Sequence, residues 1–214
     1  MASSIVHLAI ANELIKALTF DAPFRLKLGA VLADFGRMPE SHLKISVRNG
    51  QKRTYDLDGF RTRFGEKLLV DDLYLGFYLH LVQDAVYRRF VYDKYAWDPA
   101  PAGNIERLHR DYGIVNGYVI EKYSLKNDVT VPEAFESEAI NTLCAFDTAR
   151  LLEAMAAFFE PADEGEIFFF TKEMTDEFIE EAVEVCVKEI DALRSGGAGM
   201  DMLEWAWRVA AKRL

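Results

Sequence analysis

The stretch from Leu73 to Val91 is apolar on almost every side, yet it carries a histidine and an aspartate in its middle, His80 and Asp84. A helix of this composition belongs in a core, so the fold has to bury it. An α-helix turns once in about 3.6 residues, so His80 and Asp84, four apart, share a face. Leu73, Phe77, His80, Asp84, Tyr87 and Val91 make one stripe along that face. A lone carboxylate in such surroundings is costly even after the protein relaxes around it. The pair must be satisfied by each other, by neighbouring donors or by a cation.

Helical periodicity dominates the rest. Ser3 or Ser4 can cap a first helix with His7, Ile10, Ala11, Leu14 and Leu18 on its apolar side. Phe24, Leu28, Val31 and Leu32 predict a second, ending near Asp34-Phe35-Gly36. The period then changes. HLKISVRNGQKRTYDL alternates about Asn49-Gly50, the pair that favours a type I′ turn, so one β-hairpin is expected at about 43–56. It is expected to be the only sheet. Helices follow over Leu57–Lys67 and Leu73–Lys94, and from Asn104 to about Tyr123. Another is predicted from Val131 with a break near Phe146-Asp147, resuming over Arg150–Phe159. A long helix runs from Thr171 or Thr175 to about Arg194, and a last amphipathic helix covers Asp201–Leu214. The expectation is an all-α protein of one domain, residues 1–214, with one hairpin.

Composition narrows the function classes. The net charge is −10, which argues against non-specific nucleic-acid binding. Residues 160–191 hold 12 acids and 2 bases, so this segment alone equals the net charge. It reads as a solvated helix face. Lys44–Lys67 instead has seven bases against three acids, an excess that could attract a small anionic substrate. No run is long and apolar enough for a membrane span, and MASSIVHLAIANELIKAL has no basic leader ahead of its apolar residues. Cys144 and Cys186 form no CxxC pattern and read as two free buried thiols. A cytoplasmic protein is expected, and a homo-oligomer is compatible with this composition.

Four histidines occur, His7, His42, His80 and His109. His7 lies on the apolar side of the first helix, where a core imidazole bonded to a carbonyl is the simpler account. His80 and Asp84 at i, i+4 can converge on one metal ion. Asp34 ends an apolar segment, and His42 sits in a loop just before the hairpin. Three imidazoles and two carboxylates suit zinc or a similar transition metal better than magnesium or calcium. His109 and Asp111, two apart on a helix, do not chelate together, though one of them could turn towards a cleft.

In this order, HLAIANEL (His7–Leu14), FRLKLGAVLADF (Phe24–Phe35), SHLK (Ser41–Lys44) and YLGFYLHLVQDAVY (Tyr74–Tyr87) resemble the zinc-dependent phospholipase C family and its bacterial hydrolase relatives. The resemblance spans about residues 4–125, including ERLHRDYGIVNGYVIEKY, and fades beyond. It implies an all-helical domain of the phospholipase C and P1 nuclease type. It also implies a metal site of His7, Asp34, His42, His80 and Asp84, with Asp34 as the base acting on a metal-held water. The sequence departs from the family pattern in Ala33-Asp34 for Pro-Asp and in SHL for SHF. Matching that motif to Arg61-Thr62-Arg63-Phe64 instead would put Arg63 in place of a ligand, whereas His42 keeps the set whole. The family's second metal cluster has no counterpart here, so one or two zinc ions are expected. The resulting expectation is a metal-dependent hydrolase of a phosphate ester or phosphodiester. Arg53, Arg61 and Arg63, with His109 and Asp111, are its candidate substrate contacts. The alternative is a non-catalytic helical module whose metal is structural or vestigial.

Overall fold

A computed structural model describes residues 2–160 and 164–208. Among them are seven α-helices and three short strands. In chain order the helices are α1 (Ser4–Ala17), α2 (Pro23–Leu32), α3 (Leu57–Val70), α4 (Asp72–Arg88), α5 (Asn104–Lys122), α6 (Thr148–Phe158) and α7 (Lys172–Arg194). The strands are β1 (Lys44–Val47), β2 (Lys52–Tyr55) and β3 (Trp207–Arg208). No helix of the described residues is long and apolar enough to cross a membrane.

The helix that contains His80 and Asp84 is the axis of the fold. Every residue of α4 from Leu73 to Tyr87 is buried, and α1, α2, α3 and α7 pack around it. It starts on Asp71, whose carboxylate accepts from the Leu73 amide at 3.0 Å. Past Arg88 it loosens into a π-helical turn, Arg89–Lys94. Its tightest neighbour is α2. A Cβ on Gly29 would fall 2.2 Å from the Leu73 carbonyl oxygen, and one on Gly76 would fall 2.3 Å from that of Leu26. The two backbones meet only because both side chains are missing.

Local chemistry explains the other boundaries near the site. Ser3 caps α1, accepting from the Val6 amide at 3.3 Å. Pro23 opens α2, and Ala33–Phe35 continues it as one 3-10 turn that carries Asp34. Another 3-10 turn, Glu40–His42, carries His42. In the hairpin, Lys44 pairs with Tyr55 and Val47 with Lys52. Asn49 and Gly50 both have positive φ, 56° and 81°, and the Gln51 amide donates to the Arg48 carbonyl at 3.2 Å. These are the marks of the expected type I′ turn.

The structure corrects four expectations. The hairpin does not make up its sheet alone, because β3 pairs antiparallel with β2 and adds a third strand. No helix forms over the described part of 201–214: Met202–Trp205 is turn, and Trp207–Arg208 is extended. Residues 209–214 lie outside the described residues. The segment after Val131 is not α-helical but makes two 3-10 turns, Phe135–Ser137 and Ala139–Thr142, before Asp147 caps α6. Finally, only Cys186 of the two free thiols is fully buried; Cys144 is half-buried.

Part of the acidic face of α7 is engaged. Asp176 accepts from Tyr118, Lys122 and Tyr123, and Glu177 and Glu181 flank Lys94. Glu189 turns inwards, taking the Tyr78 hydroxyl at 2.5 Å and the Met200 amide at 2.7 Å.

Candidate metal centre

Five side chains from four separate segments meet beside α4. His7 comes from α1, Asp34 from the turn after α2, His42 from the turn before β1, and His80 and Asp84 from α4 itself. His42 Nε2 stands 3.2 Å from His80 Nε2, 3.6 Å from Asp34 Oδ1 and 3.6 Å from Asp84 Oδ2. His80 Nε2 is 3.8 Å from Asp34 Oδ1 and 3.9 Å from Asp84 Oδ2. On the other side, His7 Nε2 lies 3.7 Å from Asp84 Oδ1, and its ring stacks on that of His80 with centroids 4.0 Å apart. All of these residues are buried except Asp34, whose side chain keeps 14% exposure. Of the five, Asp34 is the residue with appreciable exposure to solvent.

What fixes each ring is its other nitrogen. His80 Nδ1 is 2.8 Å from the Ala30 carbonyl, which can only accept, so Nδ1 carries the proton. His7 Nδ1 is 2.7 Å from Gln83 Oε1, and His42 Nδ1 is 2.9 Å from Ser41 Oγ. All three Nε2 atoms are thereby turned to the centre, the outer support that ligating histidines ordinarily show. The carboxylates are steadied as well. Ser4 Oγ donates to Asp34 Oδ2 at 2.8 Å, and the Tyr55 hydroxyl reaches Asp84 Oδ2 at 3.4 Å.

Two atoms are left over. His7 Nε2 and Asp84 Oδ1 are buried with no hydrogen-bond partner, and they face each other across a gap too long for a hydrogen bond. Burial opposes charge on Asp84, but the positive influences around it, His7 foremost, outweigh burial and hold the carboxyl well below its usual range. At Asp34 the same opposition ends at about 2, with His80 as the largest lowering influence. Burial drives His80 down to about 3, so its ring is neutral near pH 7. Burial also works against a charge on His7, yet Asp84 and Asp34 together raise it.

The donor set can hold a cation. Two overlapping triads, His7–His80–Asp84 and Asp34–His42–His80, each bring three ligand atoms within 4.8 Å of one another. Zinc–ligand distances of roughly 2.0–2.1 Å in a tetrahedron require donor atoms about 3.3 Å apart, close to the spacings here. A ring nitrogen has one lone pair, so His80 serves one triad at a time. Asp84, with one oxygen towards His7 and the other towards His42, is the group able to bridge two ions.

The remaining candidates lie elsewhere. Asp111 is buried and accepts from the Phe168, Phe169 and Phe170 amides at 2.7–2.9 Å, while His109 is exposed. Arg61 is held by Tyr78, Asp58 and Glu189, and Arg63 donates to the Thr142 carbonyl. Arg53 is exposed on β2. Among the described residues, none of these five has a hydrogen bond or ion pair to the cluster. Sequence reasoning missed Gln83, Ser4, Ser41 and Tyr55. Gln83 left a readable signal, an amide beside Asp84 in an otherwise apolar run. Compared with known family models, with curated proteins and with solved structures, the chain matches none.

Proposed function

We propose that the five-residue cluster is a zinc centre and that the protein hydrolyses a phosphate ester or phosphodiester. One observation carries the reading: three imidazoles, each tied at Nδ1, aim Nε2 at two carboxylates, and one buried imidazole–carboxylate pair there has no partner of its own. His7, His42 and His80 would hold metal as neutral rings, with Asp84 bridging or terminal. Bound zinc supplies a Lewis acid that lowers the pKa of water and polarises a phosphoryl oxygen. Asp34 is the least buried of the five. A carboxyl held near 2 is a weak proton acceptor, so Asp34 serves better by ligating and by orienting the attacking water than by deprotonating it outright. The phosphate ester, and a domain of the phospholipase C type, rest on the resemblance of the four motifs.

A second reading has its own support. Four of the five residues are 0–1% exposed, and structural zinc sites are closed by protein where catalytic ones keep a position for water. The metal would then be a staple.

One experiment separates the readings. Protein purified without added metal is submitted to elemental analysis, then assayed on aryl phosphomonoesters and phosphodiesters before and after chelation. The enzyme reading expects bound zinc and a hydrolysis that chelation removes and zinc restores. Zinc with no hydrolysis of any ester supports the staple. Protein that neither carries nor takes up metal would sink both.

A further inference from the structure

One turn beyond Asp84, Arg88 brings α4 out to the surface. Its guanidinium lies over two rings, 4.2 Å from the centroid of Trp207 and 4.6 Å from that of Tyr92. Beside it the Arg89 guanidinium lies 4.4 Å over Trp205. These arginines and tryptophans wall a cavity of about 450 Å³, which Lys52 and Arg208 help to line. The volume is in the range of small-molecule sites.

The third strand makes this pocket. Pairing of β3 with β2 sets Arg208 directly across from Lys52. Like charges directly opposite in a sheet repel. Among the described residues no carboxylate lies within 4.0 Å of any of the four bases. Arg88 Nε is moreover buried without a hydrogen-bond partner. Asp93 and Glu204 also border the cavity, so four bases stand against two acids, an excess of two positive charges. Stacking on indole fixes the plane of a guanidinium and leaves its N–H edge for an acceptor, the arrangement that suits phosphate.

We propose that this pocket binds phosphate, either as the free anion or as the terminal group of a small phosphomonoester. A phosphomonoester is close to dianionic at neutral pH, and inorganic phosphate becomes so in mildly alkaline buffer, matching the excess charge. The site is separate from the zinc reading. Tyr55 stands between the two, its hydroxyl on Asp84 and its ring 5.0 Å from that of Trp207.

The test uses the full chain after chelation, so that no metal competes for the anion. Inorganic phosphate and phenyl phosphate are titrated in low salt, followed by calorimetry and by tryptophan fluorescence, since Trp205 and Trp207 line the pocket. Saturable binding is expected, weakened at least tenfold in Arg88→Gln and in Arg89→Gln. Arg150→Gln, an exposed base on α6, is expected to bind within twofold of the parent. Should Arg88→Gln disturb β3 by near-ultraviolet circular dichroism, Arg89→Gln and Lys52→Gln carry the test. Tighter binding of phenyl phosphate identifies the ester as the ligand, and tighter binding of inorganic phosphate the free anion. Absence of saturable binding, equal affinity in all variants, or binding that appears only with zinc would overturn the proposal.

Discussion

Asp84 in α4 and Asp111 in α5 are buried almost equally, 0% and 1% exposed, and are satisfied by different means. Asp111 accepts three backbone amides from consecutive residues, Phe168 to Phe170, and its two oxygens are both occupied. Nothing about it calls for a further partner. Asp84 has a hydroxyl and imidazoles around it, and one of its oxygens has no donor at all. A carboxylate that fastens a loop is therefore distinguishable from one with an oxygen left without a donor. Burial is common to both, and the inventory of donors separates them.

Asp84→Asn against Asp111→Asn tests that distinction most severely. Asn keeps the shape and removes the charge. In the 84 variant zinc affinity is expected to fall at least a thousandfold, about 4 kcal/mol, with the fold retained around its large apolar core. In the 111 variant zinc content should stay at the parent's level, while stability drops by about 2–3 kcal/mol as a charged acceptor of backbone amides is lost. Elemental analysis beside urea unfolding reads both numbers. Equal metal content in the parent and the 84 variant would erase the distinction.

A linkage measurement sharpens it. Zinc at a hundred times its dissociation constant stabilises a protein that binds it only when folded by about 2.7 kcal/mol. Thermal melts should show that rise in the parent and in Asp111→Asn, and none in Asp84→Asn. The smallest effect belongs to the edge of the cluster. Ser4→Ala removes the hydroxyl that holds Asp34 Oδ2, at an expected cost of about 1 kcal/mol to the metal-free fold. A calorimetric zinc titration of that variant should show weaker binding than the parent, though far stronger than Asp84→Asn. A loss as large as that of Asp84→Asn would mean that Ser4 does more than orient Asp34.

The same contrast explains what could be read from the chain. The stripe through His80 and Asp84 was legible because helical spacing is local, and so was the turn at Asn49-Gly50. Gathering His7, Asp34 and His42 into one candidate set depended on their places at apolar segments and on the order of four motifs. The amides that satisfy Asp111 could not be read, because they are backbone groups more than fifty residues away, and backbone amides have no letter in a sequence. The helical expectation over Trp207 and Arg208 fails for a related reason. Two residues carry no periodicity, and their extended form comes from pairing with Lys52 and Arg53. The 3-10 turns after Val131 replace a helix where Pro132 and short apolar spacings leave too little regular face to bury.

Gly29 and Gly76 have a consequence for how this protein tolerates change. The Ala30 carbonyl that fixes the His80 ring is the residue after Gly29, and its distance to the ring is set by the two missing methyl groups between α2 and α4. An added methyl at either position must push the helices apart, and the carbonyl would leave with α2. In a comprehensive substitution library these two positions should therefore score with the five cluster residues rather than with the core, although neither has a side chain of its own to place there. The cluster has a spacer made of absent atoms, and its precision can be lost from there without touching any of its five residues.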